Sequence, residues 1–433
     1  MGFSSTHCVA ICRKCFIIKD IVVVTEREVN LLYSNMPKVI VGMSGGVDSS
    51  VTAYLLREQG YEVEGLSFIL WEARSRTDFT AHCSIQAVGE ASKAALHLGI
   101  PHSTIDVKDD FIEKVIEPFV NAYTSGLTPN PCVLCNRFIK FPFLIIEADK
   151  RGTEYISTGH YARVESAKST EQRAESLLLK KGIDPKKDQS YVLYILRQEE
   201  LKRLILPLGY YRKDKVREIA QKLGLPESKR PESQEICFIE DRNYFKFIGR
   251  LSPVAGKPGP IMDMNGRVIG THKGIYGYTI GQRKGLGISS PEPLYVVKID
   301  ALRNMVHVGP QEAAKKKEFF VKDLNWIVPI WVAGEALPLP YRASVKVRSM
   351  MNDEPATLFL IPPTHPSPAR RMAGGPSRVG IDSHRGEGRG GGAREIVHVV
   401  FDELQWAPAP GQIAVFYNGD IVIGGGVITP DYS

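Results

Sequence analysis

The sequence predicts an α/β protein in three parts: a doubly wound parallel-sheet domain, a small mixed central domain, and a C-terminal antiparallel β-barrel. Three observations predict it. From Lys38 to Thr158, apolar β-branched runs alternate with helix-period segments, the rhythm of βαβ units. Between Pro253 and Gly287, Gly and Pro recur too often for long helices. Beyond about Pro293, short β-rich runs recur at the spacing of a small barrel.

Taken in order, residues 39–43 read as the first strand, 49–58 as a helix and 62–70 as the second strand. A helix over 86–98, a strand at 103–107, helices over 111–123 and 141–150, and a strand at 155–158 continue the pattern. Barrel strands are expected at 295–299, 341–347, 356–361, 396–401, 413–417 and 421–427. The domains are therefore expected at 38–205, 206–294 and 295–433. Residues 1–37 read as an extension or an artefact of the start codon. Residues 362–394, rich in Pro, Gly, Ser and Arg, read as a disordered insertion in the barrel.

At 433 residues the chain has room for two or three cores. No apolar run approaches the length that spans a bilayer and no leader pattern opens the chain, so the expected location is cytoplasmic, without a membrane partner. A net charge of +7 permits a polyanionic partner without establishing one. The seven cysteines are odd in number and unevenly spaced, against a disulfide framework. Cys83 reads as a small buried hydrophobe, and Cys8, Cys12 and Cys15 offer only three thiols, with His7 as a fourth candidate ligand.

The strongest local motif is Gly42-Met43-Ser44-Gly45-Gly46-Val47-Asp48-Ser49, after a strand and before a helix. Backbone N–H groups of a tight Gly-rich turn and a helix N-terminus form an anion cradle, to which Ser44 and Ser49 hydroxyls can donate. Asp48 would repel a phosphate unless Mg²⁺ intervenes, which points to a metal-bound pyrophosphate. No Lys follows as in the Walker pattern. A second constellation is Asn130-Pro131-Cys132-Val133-Leu134-Cys135-Asn136-Arg137, with Lys140 following. Arg137, Lys140 and the next helix N-terminus are expected to lower a cysteine pKa and favour a nucleophilic thiolate. Taken alone, the pair reads equally as a zinc half-site or a chance pair. A third piece, Ile236-Cys237-Phe238-Ile239, would by itself place Cys237 in a core.

The first motif resembles the pyrophosphate loop of the ATP pyrophosphatases, an adenine nucleotide alpha hydrolase-like fold. All three, with Thr158-Gly159-His160-Tyr161-Ala162-Arg163, Lys187-Asp188-Gln189-Ser190-Tyr191 and Tyr278-Thr279-Ile280-Gly281-Gln282-Arg283-Lys284-Gly285, stand in the order that marks tRNA-specific 2-thiouridylases. The resemblance runs from about Lys38 almost to the C-terminus.

The resemblance implies that ATP adenylates the C2 oxygen of a tRNA wobble uridine and that sulfur carried as a persulfide displaces AMP. It assigns the persulfide to Cys237, the nucleophile to Cys135 and the Mg²⁺ link to Asp48. The ATP site would draw on residues 42–49, on the backbone near Phe68 and on Gly159. tRNA would be met by Asn130, Pro131, Cys132, His160, Lys187, Asp188, Gln189 and Gln412. The sulfur donor would be a persulfide-carrying protein, a cysteine desulfurase or sulfide. Many relatives carry Asp where this chain has Cys132, so an iron-sulfur cluster on Cys132, Cys135 and Cys237 is a competing expectation. Other readings are an adenylating ligase for a small molecule, which would need neither paired thiols nor a barrel, and an RNA-binding protein without turnover.

Overall fold

The computed structural model describes residues 36–71, 85–167, 176–225, 228, 236–239, 243–252, 256–328, 340–361 and 395–429. The expected extension at 1–37 falls outside them except for its last two residues. Cys8, Cys12, Cys15, Cys83 and the segment 362–394 also lie outside the described residues.

The first domain opens with β1 (Lys38–Gly42), α1 (Val47–Glu58), β2 (Glu62–Ile69), α2 (Ile85–Leu98) and β3 (His102–Asp106). A helical run follows as α3 (Lys108–Phe111), a π turn at Ile112–Ile116 and α4 (Glu117–Thr124). Next come α5 (Pro131–Cys135), a second π turn at Asn136–Lys140, α6 (Phe141–Lys150) and β4 (Tyr155–Thr158). After a hairpin of β5 (Ala162–Ser166) and β6 (Leu177–Lys181), the sheet is completed by β7 (Leu204–Ile205). Its order is β3-β2-β1-β4-β7, with all pairings parallel.

Side chains of β1 alternate between two cores. Val39 and Val41 enter one and Ile40 the other, so both faces are covered, which is why the strand reads as a continuous apolar run. Packing of this domain continues past Ile205. The helix Lys213–Lys222 sends Val216 and Ala220 into the same core as Val51 and Leu55 of α1, beyond the boundary expected at 205.

The central sheet runs β10 (Tyr295–Asp300), β11 (Met305–Gly309), β8 (Gly259–Met262), β9 (Val268–His272) in space. Tyr295–Asp300 was expected in the barrel. It pairs instead with Met305–Gly309, whose partner is β8, because Val296, Val306 and Val308 share a core with Ile261 and Tyr278.

The barrel comprises β12 (Lys315–Trp326), β13 (Tyr341–Lys346), β14 (Glu354–Ile361), β15 (Ile396–Trp406), β16 (Ile413–Asn418) and β17 (Ile421–Thr429), closed by pairing of β12 with β17. Period-2 alternation lets β16 serve two cores. Ala414 and Phe416 fill the barrel, while Ile413, Val415 and Tyr417 pack outward against Tyr191 and Tyr194 of the first domain. The hairpin β5–β6, unforeseen in the sequence, extends the barrel sheet where Ile421 pairs with Lys180.

Candidate active site

In the first sheet the strand order reverses between β1 and β4, and in open α/β sheets ligands bind outside the carboxyl ends of strands at such a point. Two expected segments meet there, residues 42–49 after β1 and Gly159 after β4. A Cβ on Gly159 would stand 2.9 Å from Ser49 N and 3.0 Å from the Asp48 carbonyl carbon, so the two loops approach as only glycine permits. Gly45 has φ +73°, and a Cβ there would meet the Ala87 carbonyl oxygen of α2. Phe68 lies near the carboxyl end of β2, where Met43 N–H donates to the Leu66 carbonyl at 2.8 Å.

The N-terminus of α1 has Gly46 as its cap and no side-chain capping bond. An α-helix leaves its first N–H groups without intrahelical acceptors, and they concentrate positive potential. These groups are placed to form the anion cradle expected from the sequence. Ser49 Oγ contributes differently from the expectation: it accepts from Ser44 N–H at 3.2 Å, donates to the Gly46 carbonyl at 3.0 Å and is buried. It fixes the loop. Ser44 is exposed.

Asp48 is met by a residue that sequence reasoning missed. Lys213 Nζ donates to Asp48 Oδ1 at 2.6 Å and Oδ2 at 2.8 Å, and Tyr161 OH donates to Oδ1 at 2.7 Å. The lysine offsets the negative charge that was expected to require Mg²⁺, and it supplies the cation that the loop itself lacks. Its sequence signal was its place on the buried stripe Lys213, Val216, Ala220 of an amphipathic helix, where a lysine needs a partner.

The cysteine segment is itself helical, so the following helix contributes no N-terminus to it. Asn130 caps α5, its Oδ1 accepting from Cys132 N–H at 3.1 Å and Val133 N–H at 3.3 Å, and Pro131 occupies the first turn. Cys132 faces solvent and Cys135 faces inward among Phe111, Phe119, Ile139 and Phe238. The π turn at Asn136–Lys140 follows directly, a feature often found at functional sites. Asn136 Nδ2 donates to the Val192 carbonyl at 3.0 Å, while its Oδ1 is buried with no hydrogen-bond partner.

Cys237 reaches the same place through its neighbour. Phe238 is 2% exposed and meets Phe111, Phe119 and Phe247 at ring-centroid distances of 5.7, 5.4 and 5.4 Å. The turn from Ile236 to Ile239, closed by an N–H to carbonyl bond of 3.0 Å, then leaves Cys237 exposed. The core site expected for an isolated cysteine belongs to Phe238.

Electrostatics correct one expectation. Burial pushes the Cys135 thiol up to about 12; Lys140 opposes the push, and Cys237 and Cys132 reinforce it. Arg137 lies over the Phe138 ring at 5.4 Å instead. The resting thiol is protonated because desolvation outweighs one cation. Cys132 is also pushed up, by desolvation first, then by Cys237 against Lys140. Lys140 further acts on His160, which burial lowers to about 3. His160 is thus a neutral imidazole, bonded through Nδ1 to Thr158 Oγ1 at 2.7 Å and stacked on Phe141. Lys140 thus acts on both Cys132 and Cys135 and on His160, which follows Gly159 where that residue packs on Asp48.

Among the described residues, no three His, Cys, Asp or Glu side chains are placed to hold a metal ion.

The expected RNA-facing residues divide by what their side chains do. Lys187 is half-buried. Asp188 Oδ1 accepts from Gly182 N–H and Ser190 N–H, and Gln189 Oε1 accepts from Tyr161 N–H, so these two shape the loop from within. The barrel turn that precedes Gln412 meets the residues leading into the cysteine segment. Thr128 N–H donates to the Pro410 carbonyl at 2.8 Å, and Gly411 at φ +88° sits against Leu127 and Thr128.

Three family models match the chain. One described as a tRNA methyl transferase HUP domain covers residues 37–241, a tRNA methyl transferase PRC-barrel domain covers 246–310, and an aminomethyltransferase beta-barrel domain covers 392–428. A tRNA-specific 2-thiouridylase MnmA 1 of Caldanaerobacter subterraneus is 45% identical over 90% of this chain and 97% of its own length. Relatives of the same name from Clostridioides difficile and Halothermothrix orenii are 41% and 40% identical, over 90% and 92% of this chain and 98% and 100% of theirs. Among solved structures, a 4-thiouridine synthetase–RNA complex with bound ATP overlaps 50% of each chain at 17% identity and a TM-score of 0.30, too slight a likeness to carry weight.

Proposed function

The chain belongs to the tRNA-specific 2-thiouridylases, and from that premise we propose that it uses ATP to exchange the C2 oxygen of a wobble uridine for sulfur. The protein is a tRNA sulfurtransferase of an ATP-using fold. The observation that carries the mechanistic reading is the convergence of Cys135, Cys237 and Lys140 beside His160 and the pyrophosphate loop.

In the first step the uridine O2 attacks the α-phosphorus of ATP and pyrophosphate leaves. The α1 N-terminus and residues 42–49 hold the phosphates, with Gly159 allowing their approach and the backbone near Phe68 bordering the adenosine. A nucleotide-bound Mg²⁺ would neutralise phosphate charge; Asp48, the residue that would hold it, is engaged by Lys213 and Tyr161. In the second step the outer sulfur of a Cys237 persulfide attacks C2 and AMP leaves. Cys135, once deprotonated, attacks the Cys237 sulfur. The sulfur–sulfur bond to the transferred atom breaks, 2-thiouridine departs, and two thiols have become a Cys135–Cys237 disulfide that an external thiol must reduce. No step runs through a metal cluster.

Lys187 contributes RNA affinity, and Asn130, Pro131, Cys132, His160, Asp188, Gln189 and Gln412 shape or line the RNA path. Phosphate contacts position the RNA, whereas the base must leave its stack for its C2 edge to be reached. The exposed Cys237 accepts sulfane sulfur from a persulfide-carrying protein or a desulfurase; sulfide serves only by attacking the Cys237 sulfur of the Cys135–Cys237 disulfide, which leaves a Cys237 persulfide and a Cys135 thiol. Among the described residues, no helix is long and apolar enough to cross a membrane.

Anaerobic incubation with ATP, Mg²⁺, a persulfide-charged cysteine desulfurase and unmodified tRNA, followed by nucleoside mass spectrometry, tests this reading. 2-Thiouridine is expected with the intact protein and not with Cys135→Ser. Release of AMP and pyrophosphate without thiolated tRNA would assign another acceptor. Cys132→Ala should retain most activity in the persulfide relay, and its complete inactivity would favour a cluster.

A further inference from the structure

Two hydrogen-bonded bridges join the loop at residues 184–189 to Asp48. Tyr161 forms the first. Its N–H donates to Gln189 Oε1 and its carbonyl accepts from Gln189 N–H, both at 2.9 Å, while its hydroxyl donates to Asp48 Oδ1 at 2.7 Å. Lys213 forms the second. Its backbone N–H donates to Asp184 Oδ2 at 3.0 Å, and its ammonium grips both Asp48 oxygens. Asp184 in turn ties the loop together, accepting from Lys186 N–H through Oδ1 at 3.0 Å and from Lys187 N–H through its carbonyl at 3.0 Å. Tyr161, Asp184 and Lys213 are buried. With these three side chains shielded from water and Asp48 35% exposed, the bonds at the loop end are not readily exchanged for solvent partners, so a displacement there is transmitted to the carboxylate.

We propose that Tyr161 and Lys213 are positioning residues that couple RNA on the 184–189 loop to the setting of Asp48, so that nucleotide is held tightly when the RNA is in place. This rests on the tRNA-thiolating reading above. Asp48 stands in the first turn of α1, beside the N–H groups that meet phosphate. Its orientation decides whether the Lys213 charge is neutralised by the carboxylate or turned toward the nucleotide. A shift of the loop moves the Lys213 backbone through Asp184 and the Tyr161 backbone through Gln189. Both arms thus act on one carboxylate. The chemical reason for such a device is that an enzyme activating an RNA base with ATP loses nucleotide to hydrolysis if it engages without RNA.

The test is a binding cycle on the full-length protein with α,β-methylene-ATP and an unmodified tRNA transcript. For the wild type, tRNA should tighten the analogue by a factor within the usual allosteric range of about 5 to 150, and the analogue should tighten tRNA by the same factor. Tyr161→Phe removes the hydroxyl bond to Asp48 and keeps the backbone bonds to Gln189. Asp184→Asn, at a buried position of the loop, can satisfy Lys186 N–H or Lys213 N–H but not both. In each, the ratio of affinities with and without the second ligand should fall to near one. A merely structural role would weaken both affinities together and leave the ratio standing. A wild-type ratio of one, or full ratios in both variants, overturns the proposal while leaving thiolation untouched. Absence of 2-thiouridine from the wild type would instead sink the functional reading.

Discussion

Burial at single residues sets the chemistry of the site. Cys135 rests as a thiol pushed up to about 12, while Cys132 and Cys237 are exposed. Iodoacetamide at neutral pH should therefore label Cys132 and Cys237 well before Cys135, as read by peptide mass spectrometry. The Cys135 rate should still be climbing at pH 10, since only the thiolate reacts. His160 gives a second handle. Its folded pKa of about 3 lies below the ordinary 6.5, so between those values the unfolded chain binds more protons than the folded one. The stability tied to neutral His160 is present above pH 6.5 and is lost as pH falls toward 3. His160→Asn, which can keep an acceptor toward Thr158, should show a smaller drop in Tm from pH 7 to pH 5 than the wild type. The segments that meet at the candidate site were legible as motifs. The sign of the Cys135 shift was not, because burial depends on Phe111, Phe119 and Phe238, and Phe238 lies 103 residues further along the chain, by subtraction of the two positions.

Short elements carry the reactive groups. The turn with Cys237 is anchored in the described structure by Phe238, whose ring fills a cluster shared with Cys135. Phe238→Ala should cost about 3–5 kcal/mol, the usual penalty for emptying an aromatic core site. Its more telling effect should be on cross-linking: under diamide, the Cys135–Cys237 peptide should form many-fold more slowly than in the wild type. Equal rates would show that another contact holds the turn. The strands and helices of the first domain were legible because each buries a face with its own period, as β1 and α1 do. The cysteine helix α5 was not, since only five residues separate its Pro131 start from the π turn. The role of Asn130 as its cap emerges only once that helix is recognised.

Across the whole molecule, the barrel acts on the active site through the contact of Pro410 and Gly411 with Leu127 and Thr128. Gly411→Val would force a β-branched residue into φ +88° and against the Thr128 backbone. The expected outcome is tRNA affinity reduced at least several-fold with α,β-methylene-ATP affinity unchanged in the absence of RNA, measurable by filter binding. Domain order was legible in the sequence, but partnership was not. Tyr295–Asp300 has the pattern of any half-buried strand, and nothing local says whether its neighbour will be a barrel strand or β11. Lys213 and Asp48 meet only because the helix Lys213–Lys222 folds back on α1. The placing of β17 also bears on synthesis. This last strand pairs with β12, β16 and, at Ile421, with β6 of the first domain. Until the ribosome has released it, three strand edges stand open, and open edges invite pairing between chains. A product ending before residue 421 would be expected to aggregate and be cleared by proteases, so a stop codon late in the gene would behave as a complete loss of function.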